Sequence, residues 1–221
     1  MNVSVAIQAH PSRTEMAEAL AARLDAEIVY DPDPAAGRSP WRTYRHALEL
    51  TPADATHRLI VQEDTDPHPQ FPQAAPAAVA AHPSRLIAFF VPGSLQQHCW
   101  SMLAACRRDE PWAVLPNDRW CQTVALCWPV ALIQPIFDFV DRQNWDLRRF
   151  YADDEIVGRY LHDSGDRALA TVPSLVEHPD LVPSILSSRR PMGGDDPSRV
   201  AFCPPPEDCD VASIDWAVGP S

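Results

Sequence analysis

Apolar and polar positions alternate with period two over Val3 to Gln8, which predicts a half-buried strand. The segment ends at Ala9-His10-Pro11-Ser12-Arg13. Thr14 then stands where a helix cap belongs, and Ala17, Leu20, Ala21 and Leu24 fall on one helical face. Ala26 to Tyr30 reads as a second strand, closed by Asp31-Pro32-Asp33-Pro34, where the prolines exclude helix. A strand, a helix and a strand in that order predict a parallel sheet.

The pattern continues in the same style. Trp41 to Leu50 is a short helix that brings Trp41, Arg45 and Leu48 together at helical spacing. His57 to Gln62 reads as a buried strand running straight into Glu63-Asp64-Thr65-Asp66-Pro67-His68-Pro69. Phe71 to Ala81 is an alanine-rich helix, Leu86 to Val91 a strand and Gln96 to Arg108 a helix, and Trp112 to Leu115 and Gln122 to Trp128 are strand candidates. Pro129 to Gln143 is expected as a helix with Pro129 in its first turn and Leu132, Ile136, Phe139 and Val140 toward a core. Tyr151 to His162 follows as a helix opened by Ala152-Asp153-Asp154-Glu155, whose acids suit the positive end of the helix dipole. Ala168 to Val172 is the last strand. Residues 1–187 are thus expected to form one α/β domain, with a mixed, mainly parallel central sheet flanked by helices. Residues 188–221, rich in Pro, Gly and Asp, are expected to be a flexible arm or lid.

Composition narrows the function classes. The chain of 221 residues has a net charge of −12, which argues against a broad nonspecific grip on nucleic acid. All eighteen basic residues are arginine, a codon-usage signature rather than a chemical one. No run reaches the length of a membrane-spanning helix. The opening Met1-Asn2-Val3-Ser4-Val5 lacks a basic leader, so a cytoplasmic location is expected. Six cysteines at irregular spacing form no CxxC pair, and most read as small buried residues with reduced thiols.

The strongest chemical signal is an apolar strand that ends in three acids within four residues, Glu63, Asp64 and Asp66. Such a cluster is costly unless a cation is bound, and alternate acids at a strand end can hold Mg²⁺ or Mn²⁺ against a diphosphate. The other reading is an acidic surface turn.

The segment Leu59-Ile60-Val61-Gln62-Glu63-Asp64-Thr65-Asp66-Pro67-His68-Pro69-Gln70-Phe71 resembles the strand, DxD motif and following proline and aromatic residue of GT-A glycosyltransferases, especially small family-2-like enzymes. The resemblance covers roughly residues 3 to 185 and, outside the motifs, is one of order and spacing. It implies a GT-A (Rossmann-like) fold and transfer of a sugar from a nucleotide-diphosphate donor, UDP-sugar favoured, to a hydroxyl acceptor, with Mn²⁺ or Mg²⁺ as cofactor.

By the same resemblance Pro11 and Arg13 lie beside the nucleotide, Asp31 meets the base or ribose, and Arg42 and Arg45 approach the phosphates. Asp64 meets the donor and, with Asp66 and His178, the metal. Asp154, with Asp153 next, supplies the base of an inverting reaction. A solvated helix face equally accounts for the arginines, a helix cap for Asp153 and a structural role for His178, and a retaining reaction needs no such base.

The small size resembles bacteriophage glycosyltransferases, which implies a monomer, a host-cytoplasmic setting, no membrane partner and a hydroxymethylated pyrimidine in DNA as acceptor. That acceptor requires a basic groove built from Arg107, Arg108, Arg119, Arg148 and Arg149. A protein, saccharide or small-molecule acceptor is the alternative. So are a metal-dependent nucleotidyltransferase, disfavoured because Gln8 to Arg13 has no glycine, and an inactive nucleotide-binding protein. Trp100, Trp112 and Trp120 are candidates for stacking on an acceptor.

Overall fold

The periodicities resolve into elements close to those expected. The computed structural model describes residues 1–37, 39–145, 152–179, 200–206 and 208–220. In chain order it contains β1 (Val3–Ala9), α1 (Thr14–Leu24), β2 (Glu27–Tyr30), α2 (Pro40–Glu49), β3 (His57–Gln62), β4 (Asp66–Pro67), α3 (Phe71–Ala81) and β5 (Ile87–Ala88). After these come α4 (Gln96–Arg107), β6 (Trp112–Val114), β7 (Ala125–Pro129), α5 (Ile133–Arg142), α6 (Asp153–Ser164), β8 (Leu169–Thr171) and β9 (Val176–Glu177). The α/β class with mixed, mostly parallel strands is therefore as the sequence predicts. The chain divides into two interleaved units, one of residues 1–63 and 117–167, the other of residues 64–116 and those from 168 onward.

In the first unit the strand order is β2-β1-β3-β7. β1 pairs in parallel with both β2 and β3, and β7 runs antiparallel to β3. The chain leaves β1 toward β2 on one side and returns to β3 on the other, which makes the carboxyl end of β1 a topological switch point, where open α/β sheets collect ligands. Ile7, Leu59, Ile60 and Val61 form the buried strand layer. Arg58, inside that apolar strand, is wholly buried. Its Nε donates to Ala47 O at 2.9 Å, Nη1 donates to Ser4 Oγ at 3.3 Å, and Nη2 pairs with Glu27.

Pro129 does not open a helix. It closes β7 opposite His57, Val130 N donates to Thr56 O at 3.0 Å, and α5 begins only after a 3-10 turn over Val130–Leu132. Proline's fixed φ suits an extended strand end as well as a helix start, and the β3 ladder decides between them. The expected core face of this helix holds at Ile136, Phe139 and Val140, whereas Leu132 is half-buried.

Gly158 on α6 lies against the backbone of Arg119 and Trp120, with no space for a Cβ. Gly158→Ala is expected to cost about 1–3 kcal/mol or more, since backbone rather than a flexible side chain must move. Thermal melts check this, and an unchanged Tm refutes it.

In the second unit β8 pairs in parallel with β5 and antiparallel with β6, while β4 and β9 form a separate antiparallel pair. Only Ile87 and Ala88 of the expected strand 86–91 join the ladder, because the Phe89 carbonyl instead accepts from Leu175 N and Val176 N, at 2.9 and 3.1 Å. Phe71 meets Phe89 edge-on at 5.1 Å, and Trp112 lies between His82 and Trp216, with ring centroids 4.7 and 5.3 Å away.

The described part of the expected arm is packed rather than free. Trp112 Nε1 donates to Trp216 O at 2.9 Å, Val211 and Trp216 are buried, and Ala201 bridges to Pro92. A few apolar residues without periodicity are enough to anchor a segment to an existing core. Residues 188–199 lie outside the described residues. Among the described residues no helix is long and apolar enough to cross a membrane.

Candidate functional site

The carboxyl ends of the parallel strands in the first unit gather polar side chains. Asp31 N donates to Ala9 O at 3.1 Å and Glu63 N to Gln8 O at 3.2 Å, so Gln8, Asp31 and Glu63 follow from β1, β2 and β3 at one sheet edge. Asp31 is 8 % exposed and takes a two-pronged bond from Arg42, Nε to Oδ1 at 2.6 Å and Nη2 to Oδ2 at 2.7 Å. Asp33 N adds a third donor to Oδ1 at 3.0 Å. Burial pulls the Asp31 carboxyl upward, but Arg42 and the Asp33 amide outweigh it and hold it below its usual value. Arg42 is set by the start of α2, where Ser39 Oγ accepts from Arg42 N at 3.3 Å and Arg42 Nη2 donates to Gly37 O at 2.7 Å.

This pair makes a linked stability prediction. Asp31 is held below its unfolded value, so its contribution is present above the ordinary carboxylate range and is lost as pH falls through the folded value. Arg42→Ala is expected to cost about 1–3 kcal/mol near neutral pH and to flatten the acid limb of the stability curve. Urea unfolding at neutral and acid pH measures both, and an acid limb of unchanged slope refutes the assignment.

Arg13 Nη1 lies 3.2 Å from Glu63 Oε1, with both side chains 10 % exposed. Pro11 is exposed in the short turn Pro11–Arg13 that begins where His10 Nδ1 accepts from Ser12 N at 3.2 Å. Arg45 is engaged elsewhere: Nε donates to Glu49 and Nη1 to Asp141, both at 2.9 Å, and its guanidinium covers Phe137. It ties α2 to α5.

Asp153 and Asp154 open α6. Asp153 is 5 % exposed, its Oδ1 accepts from Asp154 N at 3.1 Å, and its Oδ2 accepts from Gln8 Nε2 at 3.2 Å. Asp153 is therefore more than a cap. Asp154 Oδ1 accepts from Glu155 N at 2.9 Å. Burial first, and then the neighbouring Asp153 charge, push the Asp154 carboxyl up to about 8. A carboxyl poised near neutrality can act as a general base.

The second unit holds the DxD segment. The β4–β9 register pairs Asp66 with Glu177. An antiparallel ladder therefore turns the residues before Asp66 toward those after Glu177, and His178 Nε2 comes to 3.4 Å from Asp64 Oδ1. The two side chains are 6 % and 15 % exposed. Asp66 itself is exposed. Among the described residues no group of three or more His, Cys, Asp or Glu side chains is arranged to hold a metal ion. A carboxylate beside an imidazole suits Mn²⁺, and Mg²⁺ less well, with phosphate oxygens and water as the remaining ligands. Glu177 is fixed beside them, Oε1 accepting from His178 N at 2.8 Å and Ala201 N at 2.7 Å.

The sequence singles out Asp64, His178, Asp31 and Arg42 separately, and the fold brings Asp64 to His178 and Arg42 to Asp31. It gave no role to Gln8 or Glu177. Gln8 carries only the weak signal of a polar residue at the end of an otherwise apolar strand. Of the proposed basic groove, Arg108 pairs with Glu110 at 2.7 Å, Arg107 and Arg119 are exposed, and Arg148 and Arg149 lie outside the described residues. Trp112 is fully buried, Trp120 half-buried and Trp100 59 % exposed. All six cysteines are free thiols, but only Cys121 and Cys127 are buried, so the expectation that most are buried is not met. No family model matches the sequence, and no curated protein matches it.

Proposed function

We propose that the protein is a metal-dependent glycosyltransferase that moves a sugar from a nucleotide diphosphate to a hydroxyl acceptor. The observation that carries this reading is the convergence of Asp64 and His178, residues far apart in sequence, in the register set by β4 and β9. They are two of the three residues, with Asp66, that the motif resemblance selects as ligands for Mn²⁺ or Mg²⁺. When bound there, a divalent ion would neutralise charge developing on the departing diphosphate. Asp31, braced by Arg42, keeps acceptor capacity on Oδ2 for a ribose hydroxyl or base N–H, since a carboxylate oxygen can accept more than one hydrogen bond. Asp154 takes the acceptor hydroxyl's proton in an inverting reaction.

Isothermal titration with UDP, GDP and other nucleotide diphosphates, with and without Mn²⁺, tests the reading. Metal-dependent binding of one nucleotide supports it, and binding indifferent to metal, or none, overturns it. For the acceptor, we favour a hydroxymethylated pyrimidine in DNA, on the resemblance to small bacteriophage glycosyltransferases alone. The exposed Trp100 is available to stack on an acceptor ring. Mass spectrometry of modified DNA, set against protein and saccharide acceptors, decides among them.

A further inference from the structure

Gln8 stands at the switch point of the first unit's strands and is 7 % exposed. Chemistry fixes the orientation of its amide. Nε2 lies 3.2 Å from Pro40 O and 3.2 Å from Asp153 Oδ2. A peptide carbonyl only accepts, so the nitrogen must face Pro40, and its second hydrogen is left for Asp153. Gln8 Oε1 remains buried without a partner. An apolar residue would avoid that cost, so the amide's two donated bonds are what the position gains.

The two carboxylates of the pair are held differently. Burial raises the Asp153 carboxyl, and Gln8 Nε2, Asp154 N and the Thr123 hydroxyl oppose that shift by donating to it. Asp154 receives Glu155 N and is the more exposed of the two. Adjacent carboxylates resist ionising together, and the better hydrogen-bonded one keeps the charge. Tyr44 of α2 faces Asp153, and Cys121 of the 117–124 segment faces Asp154 with Asp118 on the Cys121 side. Glu155 lies on the same helix, held by Arg159 at 2.6 Å. The Arg159 charge is taken up by Glu155, and the other neighbours are neutral or negative, which favours keeping one proton on the pair.

We infer that Gln8 is a positioning residue whose amide clamps Asp153 as the carboxylate, so that the proton shared by the pair resides on Asp154. The clamp follows from the hydrogen-bond geometry; its value to catalysis rests on the reading of Asp154 as general base. It gives the two acids separate duties, with Asp153 a fixed charge and Asp154 the group that exchanges its proton with a substrate hydroxyl.

Site-resolved carboxyl NMR of the full chain, titrated between about pH 4 and 10, tests it. In the unaltered protein Asp153 should stay ionised through neutrality while Asp154 titrates. In Gln8→Met, which keeps the length and removes both donors, the Asp154 midpoint should fall by about one unit or more as Asp153 takes up the proton. Thr123→Val should move it in the same direction by less.

Protonation of Asp153 in place of Asp154 in the unaltered protein overturns the inference without recourse to a variant. An unmoved Asp154 midpoint in Gln8→Met also overturns it. If the midpoints move as expected but no donor supports transfer, the clamp stands and the transferase reading fails. If transfer is observed and the midpoints do not move, the clamp fails alone.

Discussion

Asp64→Ala is expected to abolish Mn²⁺-dependent nucleotide-diphosphate binding and to lower transfer by about 10³-fold or more, as removal of a metal worth several kcal/mol requires. Asp64 is the carboxylate that His178 faces, at 3.4 Å. Its loss leaves the imidazole as the single remaining member of the pair. Asp66 is exposed on β4. Asp66→Ala is therefore expected to weaken metal dependence less than Asp64→Ala does, although both acids belong to the same motif. His178→Ala should resemble Asp64→Ala. Titration calorimetry with and without Mn²⁺, beside nucleotide release under saturating donor, measures the order of effects. Normal metal-dependent binding in Asp64→Ala removes the proposed function.

The second large effect is expected at Asp154. Asp154→Asn keeps the size and one acceptor oxygen for Glu155 N but cannot take a proton, so turnover should fall by about 10²- to 10⁴-fold while donor affinity is unchanged. In the unaltered protein transfer should rise with pH through about 8, the value to which burial and the Asp153 charge push the Asp154 carboxyl.

Stability should move oppositely. The folded carboxyl is raised above its unfolded value, so its contribution is fully present below the ordinary carboxylate range and is lost as pH rises through the folded value. Asp154→Asn removes that loss, and its Tm should match the unaltered protein in acid and exceed it in alkali. Rate profiles and melts across the same pH range check both. A variant with near-normal turnover is not missing its base, and equal Tm values at alkaline pH mean that burial imposes no cost there.

These expectations draw on unequal parts of sequence and structure. Periodicity located nearly every strand and helix because each is set by local burial: Val3, Val5 and Ile7 alternate, and Ile136, Phe139 and Val140 recur along α5. Local rules failed at Pro129, where one φ value satisfies two elements, and at Phe89 to Val91, where hydrogen bonding to distant residues cut a strand short. They also failed in the tail, where Val211 and Trp216 bury without any repeat.

The candidate site divides along the same line. The sequence by itself determined the α/β class and put an acidic cluster at the end of an apolar strand, since both depend on which residues are neighbours along the chain. It could not show which acid of Asp64-Thr65-Asp66 comes to His178. The β4–β9 register did that, bringing Asp64 to 3.4 Å from the imidazole. Nor could it show that Gln8 reaches Asp153, because that bond spans 145 residues and exists only once α6 presents its first turn to the end of β1. Composition fixes what a side chain can do. Which side chains are within hydrogen-bonding reach, and which carboxylates lose water, is set by tertiary packing, because burial and distance are properties of the folded chain.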